Sequence, residues 1–272
     1  MRLRKHLALL VVAVLVGSVP GAVEASLYGV SMDTDSLYTV DPSTGAATFI
    51  GPLGAGLDAS FSGAAFLAGQ LFVTDVFISG VGGSFGTVDI TTGAYTPIND
   101  QGGSNNWIGL AADQNAGLLY TINWDDGSIL KSVTPGGTIT SIGTGTGVYG
   151  AGMAYDNAND ILYAVDYYST NLYSIDTTTG TSALIGSLGF GNRDAVGLDY
   201  DDDADILYAT VQNSLYTVDV TTGAATLIGQ NGVSRIDALA WLGDGNVVIP
   251  EPATLSLLAL GGLALLRRRP RR

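Results

Sequence analysis

Cysteine is absent from the 272 residues, and histidine occurs once, as His6. The first absence excludes disulfides and thiol catalysis, so stability must come from packing. The second removes histidine-ligated zinc, Ser-His nucleophiles and histidine acid–base chemistry from everything downstream. Positive charge is scarce as well. Between Ser26 and Ile249 only Lys131, Arg193 and Arg235 stand against 23 acidic residues, a net charge of −20, and every one of those acids is aspartate. Such a surface repels nucleic acid and anionic lipid, so no nucleic-acid partner is expected. Aspartate without glutamate points to turns instead of helices, because Asp bonds its own backbone in loops.

The two ends differ from this body. Arg2, Arg4, Lys5 and His6 precede an apolar run from Leu7 to Val16, and Val23-Glu24-Ala25 sets small residues before a cut ahead of Ser26. That order is a secretory signal peptide over residues 1–25, which makes signal peptidase a partner. At the other end Pro250, Glu251 and Pro252 are followed by a 14-residue, largely apolar run, Ala253 to Leu266, and then Arg267, Arg268, Arg269, Arg271 and Arg272. A spanning helix needs about 20 apolar residues, so this run suits transient membrane insertion, with the arginines held in the cytoplasm. The tail, residues 247–272, resembles the PEP-CTERM sorting signal of Gram-negative bacteria. The resemblance implies recognition by an exosortase, tethering to the membrane before cleavage near Pro-Glu-Pro, and delivery to the cell surface or extracellular matrix.

The intervening segment, 26–246, is a repeat. SLYTVDPSTGAATFIG from Ser36, NLYSIDTTTGTSALIG from Asn171 and SLYTVDVTTGAATLIG from Ser214 are near copies, with degenerate versions from Gly86 and Ser128. The turn glycines Gly45, Gly93, Gly137, Gly180 and Gly223 mark five units. Each unit breaks into four short apolar or alternating stretches, the signature of a propeller blade at a period near 44 residues. The chain ends its repeats with IDALAWLGDG from Ile236, an innermost-strand sequence, whereas the segment from Ser26 supplies three outer strands. The expected fold is therefore all-β: a five-bladed propeller with four-stranded blades, one of them shared between the termini. The body resembles secreted bacterial propeller domains built on L-Y-x-[VI]-D-x-x-T-G-x-x-x-x-I-G, a resemblance that implies a fold and no activity. Its Asp is expected to anchor a hairpin turn and its Leu and Tyr to pack blades together.

Strand order sorts the loops onto two faces. The first collects Asp113, Asp156, Asn157, Asn159, Asp160 and the run Asp201, Asp202, Asp203 and Asp205. Oxygen-rich loops of this kind suit calcium, with Asp201, Asp203 and Asp205 as the candidate ligands, although the EF-hand spacing is incomplete. Solvated turns that keep the protein soluble are the other reading, and no other cofactor is implied. The second face collects Trp107, Trp124, Tyr149, Tyr167, Tyr168, Asp125 and Asp126 with Arg193, Asp194, Arg235 and Asp237. Aromatic platforms beside carboxylates and guanidinium groups suit a glycan such as exopolysaccharide, while the arginines serve equally as ion-pair partners of Asp194 and Asp237. These features favour a non-catalytic binding or structural role. The alternative is an Asp-based glycoside hydrolase or lyase using Asp199, which stands on an innermost strand, with Asp194 or Asp237 as the second carboxylate.

Overall fold

The computed structural model describes residues 26–54, 60–76, 84–100, 106–191 and 196–243. Among them the chain forms twenty strands in five four-stranded antiparallel sheets, and no helix. The first sheet contains β1 (Ser26–Ser31), β2 (Ser36–Val40) and β3 (Ala47–Pro52). The second contains β4 (Ser60–Leu67), β5 (Gln70–Val76), β6 (Ser84–Val88) and β7 (Tyr95–Asp100). The third is β8 (Trp107–Asp113), β9 (Leu118–Asn123), β10 (Ile129–Val133) and β11 (Ile139–Ile142). The fourth is β12 (Gly150–Asp156), β13 (Ile161–Asp166), β14 (Asn171–Ile175) and β15 (Ser182–Ser187). The fifth is β16 (Val196–Asp201), β17 (Ile206–Val211), β18 (Ser214–Val218) and β19 (Ala225–Gln230). The last strand, β20 (Ala238–Leu242), returns to the first sheet and pairs with β1, Leu27 opposite Trp241 and Gly29 opposite Leu239.

The protein is thus a five-bladed propeller whose first blade is assembled from both ends of the repeat region. β4, β8, β12, β16 and β20 are the innermost strands and pack on one another in a closed ring. Every residue of β8, β12 and β16 is buried, because these strands have neighbours on both faces, whereas the outermost strands are largely exposed. Closure leaves no open inner edge.

The motif aspartates turn the outer hairpins. Oδ1 of Asp41, Asp89, Asp176 and Asp219 accepts the N–H and hydroxyl of the residue two positions on, and then the next N–H. Each turn ends on a glycine at φ between +72° and +78°: Gly45, Gly93, Gly180 and Gly223. These hydrogen bonds favour the charged form and hold all four carboxyls below their ordinary range.

Four of the five seams between blades repeat one arrangement. An aromatic ring of one blade's second strand meets an aromatic of the next blade's innermost strand: Tyr28 with Phe66, Tyr120 with Tyr155, Tyr163 with Tyr200, and Tyr208 with Trp241, at 5.2–6.0 Å between centroids. At the rim of the same seams a Cβ on Gly51, Gly143, Gly186 or Gly229 would fall 2.0–2.1 Å from the carbonyl oxygen of Thr92, Thr179, Thr222 or Thr44. The glycine after the fourth-strand isoleucine therefore lets the next blade's turn approach.

The seam between the second and third blades departs from this pattern. Asn99 replaces the glycine, and Ala112 stands where the fourth and fifth blades have Tyr155 and Tyr200. Trp107 fills that seam instead, 1% exposed, its ring 6.4 Å from Phe85, which itself stacks on Phe72. Ser62 Oγ donates to the Trp107 carbonyl at 3.0 Å.

Candidate functional site

On the face made by loops between second and third strands and between blades, four aromatic rings converge. Trp124 follows β9, Tyr149 precedes β12, and Tyr167 and Tyr168 follow β13. The Trp124 ring lies 5.9 Å from Tyr149, 5.3 Å from Tyr167 and 6.2 Å from Tyr168, while Tyr149 and Tyr168 meet edge to face at 5.2 Å. The backbone beneath is fixed. Asp166, 7% exposed, accepts the N–H groups of Tyr149, Tyr168 and Ser169 at 2.8–3.1 Å. Trp124 Nε1 donates to the Gly150 carbonyl at 3.1 Å, which orients the indole. Tyr149 and Tyr168 remain 42% and 45% exposed, so both rings are open to a ligand.

Carboxylates border this platform. Asp125 accepts the Asn106 side-chain amide at 2.8 Å, and Asp126 pairs with Lys131. Trp107 does not belong to it. Sequence placed that ring on the ligand face, and the structure places it inside the seam described above, where nothing outside can touch it. Arg235 is tied to the fold although its side chain is partly exposed: Nε bonds Asp237, and a terminal nitrogen approaches Met32 Sδ at 3.2 Å. Asp237, 1% exposed, accepts the Met32 N–H as well. Burial pushes its carboxyl up, opposed by Met32 N–H and Arg235. This pair ties the β1–β2 loop to the start of β20 and offers no free guanidinium. Arg193, Asp194, Pro250, Glu251, Pro252, Arg267, Arg268 and Arg269 lie outside the described residues, as do the signal peptide and the apolar run of the tail.

The opposite face is built from loops between first and second and between third and fourth strands. Here the aspartates serve the fold. Oδ1 of Asp113, Asp156 and Asp201 accepts backbone N–H groups of its own turn at 2.8–3.1 Å, and Asp160 and Asp205 accept the hydroxyls of Tyr155 and Tyr200. Of the candidate calcium ligands, Asp201 and Asp205 are committed in this way. Among the described residues no three acidic side chains converge to hold a metal ion.

The mouth of the central channel opens on this face, and sequence reasoning missed its order. The residues directly after the innermost strands or their terminal aspartates, Ala68, Gln114, Asn157, Asp202 and Gly243, follow one another around the ring. Gln114 Oε1 accepts Ala68 N–H, Asn157 Oδ1 accepts Gln114 N–H, and Asp202 Oδ1 accepts Asn157 N–H, at 2.7–3.1 Å. Asn157 Nδ2 also donates to Asp202 Oδ2. This side-chain relay clasps three successive seams and stops at Gly243, which has no side chain. Burial raises the Asp202 carboxyl, against the two Asn157 donors.

Asp199 lies deeper. It is 8% exposed, and its oxygens accept the N–H groups of Tyr200 at 2.9 Å and Trp241 at 2.5 Å. Burial pushes this carboxyl well above the ordinary range. The cavity that Asp199, Tyr200, Asp202 and Trp241 help to line holds about 20 Å³, room for a water molecule and not for a sugar ring. Asp237 is no partner for it. Asp199 bonds the backbone of Trp241, about 13 Å of extended chain beyond Asp237, whereas Asp237 is spent on Arg235 and the Met32 N–H at the opposite end of β20.

A family model described as the PEP-CTERM protein-sorting motif matches residues 248–272. The chain carries a PEP-CTERM sorting motif. It is accordingly an exported, exosortase-targeted protein bound for the cell surface or extracellular space, with a propeller as the exported body. No curated protein matches the sequence. Among solved structures, a chain of a nidogen/laminin complex is 14% identical, with 80% of this chain and 98% of that chain covered at a TM-score of 0.50. Virginiamycin B lyase from Staphylococcus aureus is 14% identical over 75% of this chain and 70% of its own, at a TM-score of 0.44. A luciferin-regenerating enzyme is 15% identical over 84% and 86%, at 0.45. At 14% identity the likeness to the nidogen/laminin complex chain is one of fold.

Proposed function

We propose that this PEP-CTERM protein is a surface or matrix component of a Gram-negative bacterium whose propeller binds exopolysaccharide and performs no catalysis. The observation that carries the reading is the Trp124, Tyr149, Tyr167 and Tyr168 platform, partly exposed on a face whose loops are held rigid from below. Aromatic faces stack on sugar rings, and the neighbouring Asn and Asp groups bond hydroxyls. Charge narrows the ligand. Of the three basic residues in the body, Lys131 and Arg235 are already paired with Asp126 and Asp237, so an anionic polymer meets a surface of its own sign. A neutral or amino-sugar polymer fits.

Co-sedimentation with insoluble cellulose, chitosan and calcium alginate tests this. Retention on a neutral or cationic polymer, weakened at least tenfold in Trp124→Ala with the polymer unaltered, is the expected result. Equal retention of the variant, or binding to alginate alone, sinks the platform reading. New reducing ends or unsaturated sugars that vanish in Asp199→Asn would instead establish the hydrolase or lyase alternative.

A further inference from the structure

The two ends of the described propeller, Ser26 and Gly243, lie on one face, and it is not the aromatic face. The innermost strands begin on the aromatic face and end on the aspartate-rich face. β20 follows suit, running from Ala238 next to Asp237 to Leu242 at the channel mouth. β1 pairs with it antiparallel, Ser26 opposite Leu242, so the first residue expected after signal-peptide removal sits at the same mouth. The chain leaves toward the sorting motif from Gly243, which lines that mouth with Gln114, Asn157, Asp202, Asp203 and Trp241.

We infer that in the uncleaved precursor the aspartate-rich face is held against the membrane and the aromatic platform points away from it. This rests on the reading of the tail as membrane-inserted before cleavage. Lengths carry the argument. Seven residues, Gly243 to Ile249, separate the propeller from Pro250. Fully extended they span at most about 25 Å. The tether starts at the innermost strand, so turning the platform to the membrane requires it to cross a blade and descend the rim. The three spacings of about 4.8 Å between four strands come to about 14 Å, and a six-residue strand adds about 20 Å of height, together about 34 Å. The channel offers no shortcut, since the cavity beside Asp199, lined also by Ala65, Tyr155 and Trp241, holds about 20 Å³, too little for a polypeptide to pass. The tether reaches the rim and not the far face.

The orientation has two consequences. The binding face is available while the protein is still attached. The apposed face carries the exposed carboxylates of Asp160, Asp203 and Asp205, which an anionic leaflet repels, so severing the tail leaves nothing to retain the body at the membrane.

The cysteine-free chain makes the test clean. Residues 26–272 bearing Ala204→Cys on the aspartate-rich face or Ser234→Cys on the aromatic face are labelled with a fluorophore. Each is reconstituted into phosphatidylethanolamine/phosphatidylglycerol vesicles carrying a headgroup spin label. The expected result is flotation of both with the vesicles, with quenching at position 204 several-fold stronger than at 234. A Gly-Ser insertion of about 20 residues after Gly243, adding up to about 70 Å, should erase the difference. Equal or reversed quenching in floating protein with the native spacing overturns the inference and leaves the anchor reading intact. Failure to float overturns both.

Discussion

Ring closure between the fifth and first blades depends on Gly229, and Gly229→Ala measures how much. An alanine Cβ there would sit 2.1 Å from the Thr44 carbonyl oxygen and 3.1 Å from its carbon. Gly229 does not have a positive φ, so the penalty comes from contact and not from backbone conformation. Separating the atoms to ordinary contact moves two backbones by about 1 Å across a seam that also carries the Ala47 N–H to Asn231 carbonyl bond of 3.0 Å. Overpacking of this kind costs about 1–3 kcal/mol, and backbone on both sides places it at the upper end. For a body of this size about 3 kcal/mol lowers the thermal midpoint by about 6–12 °C.

Two other glycines separate the causes. Gly136→Ala meets nothing nearer than 4.0 Å and should shift the midpoint by less than about 2 °C. Gly117→Ala, at φ +66° with nothing within 4 Å, isolates the left-handed conformation and should cost about 1 kcal/mol. Thermal unfolding followed by circular dichroism reads all three. If Gly229→Ala unfolds within 2 °C of Gly136→Ala, the rim glycines are not what permits close approach, and the seam argument fails.

Trp107→Ala should cost about 3–5 kcal/mol in denaturant unfolding because the ring is buried between blades, with polysaccharide retention of the folded fraction unchanged. A loss of retention without loss of stability would return Trp107 to the ligand face. The pH profile should have two limbs. Asp41, Asp89, Asp176 and Asp219 have depressed carboxyls, so their contribution is complete above the ordinary value of about 3.9 and disappears as pH falls through their folded values. Asp199 is raised, so the native state binds its proton more tightly and stability declines as pH rises from about 4 through its folded value. Asn at the four turn positions keeps an acceptor and should flatten the acid limb of midpoint against pH; an unaltered limb would refute the assignment. Millimolar calcium should move the thermal midpoint by less than about 1 °C, far below the roughly 2.7 kcal/mol that a ligand at 100 times its Kd supplies. A rise of several degrees abolished by Asp203→Asn would reinstate the loop as a calcium site.

The repeat made most of this architecture legible. Regular turn glycines and an innermost-strand sequence left over at Ile236 were enough to count blades and join the ends, because propeller closure admits few arrangements of such a remainder. The Asp-x-x-T-G turns read correctly for the same reason: a short polar acceptor followed by a positive-φ glycine is a local feature. Trp107 misled because a tryptophan beside a loop has the same composition whether it faces solvent or a neighbouring blade. The correcting signal was present in Ala112 and Asn99, the two places where the second and third blades lack the seam residues of the others. The channel-mouth relay was hidden among the aspartates. Gln114, Asn157 and Asp202 differ chemically yet each occupies one repeat position, and only that alignment reveals a common task.

The stability of the ring should arrive all at once, with β20. Before that strand is present, β1 exposes the edge from Leu27 to Val30, an unpaired strand edge of apolar residues. β16 and β4 would likewise lack the neighbour that joins them. No disulfide can hold the other blades together in the meantime. Truncation after Asp237 should therefore abolish cooperative unfolding and leave a protease-sensitive, aggregating chain. Truncation after Gly243 keeps every described strand and should leave the thermal midpoint within about 2 °C of the full-length chain. A cooperative transition in the shorter chain close to that of the longer one would mean that the four complete blades are self-sufficient. The sorting motif begins at residue 248, a few residues beyond the closing strand. A chain whose tail has emerged for exosortase has thus already emerged with everything its propeller needs to close.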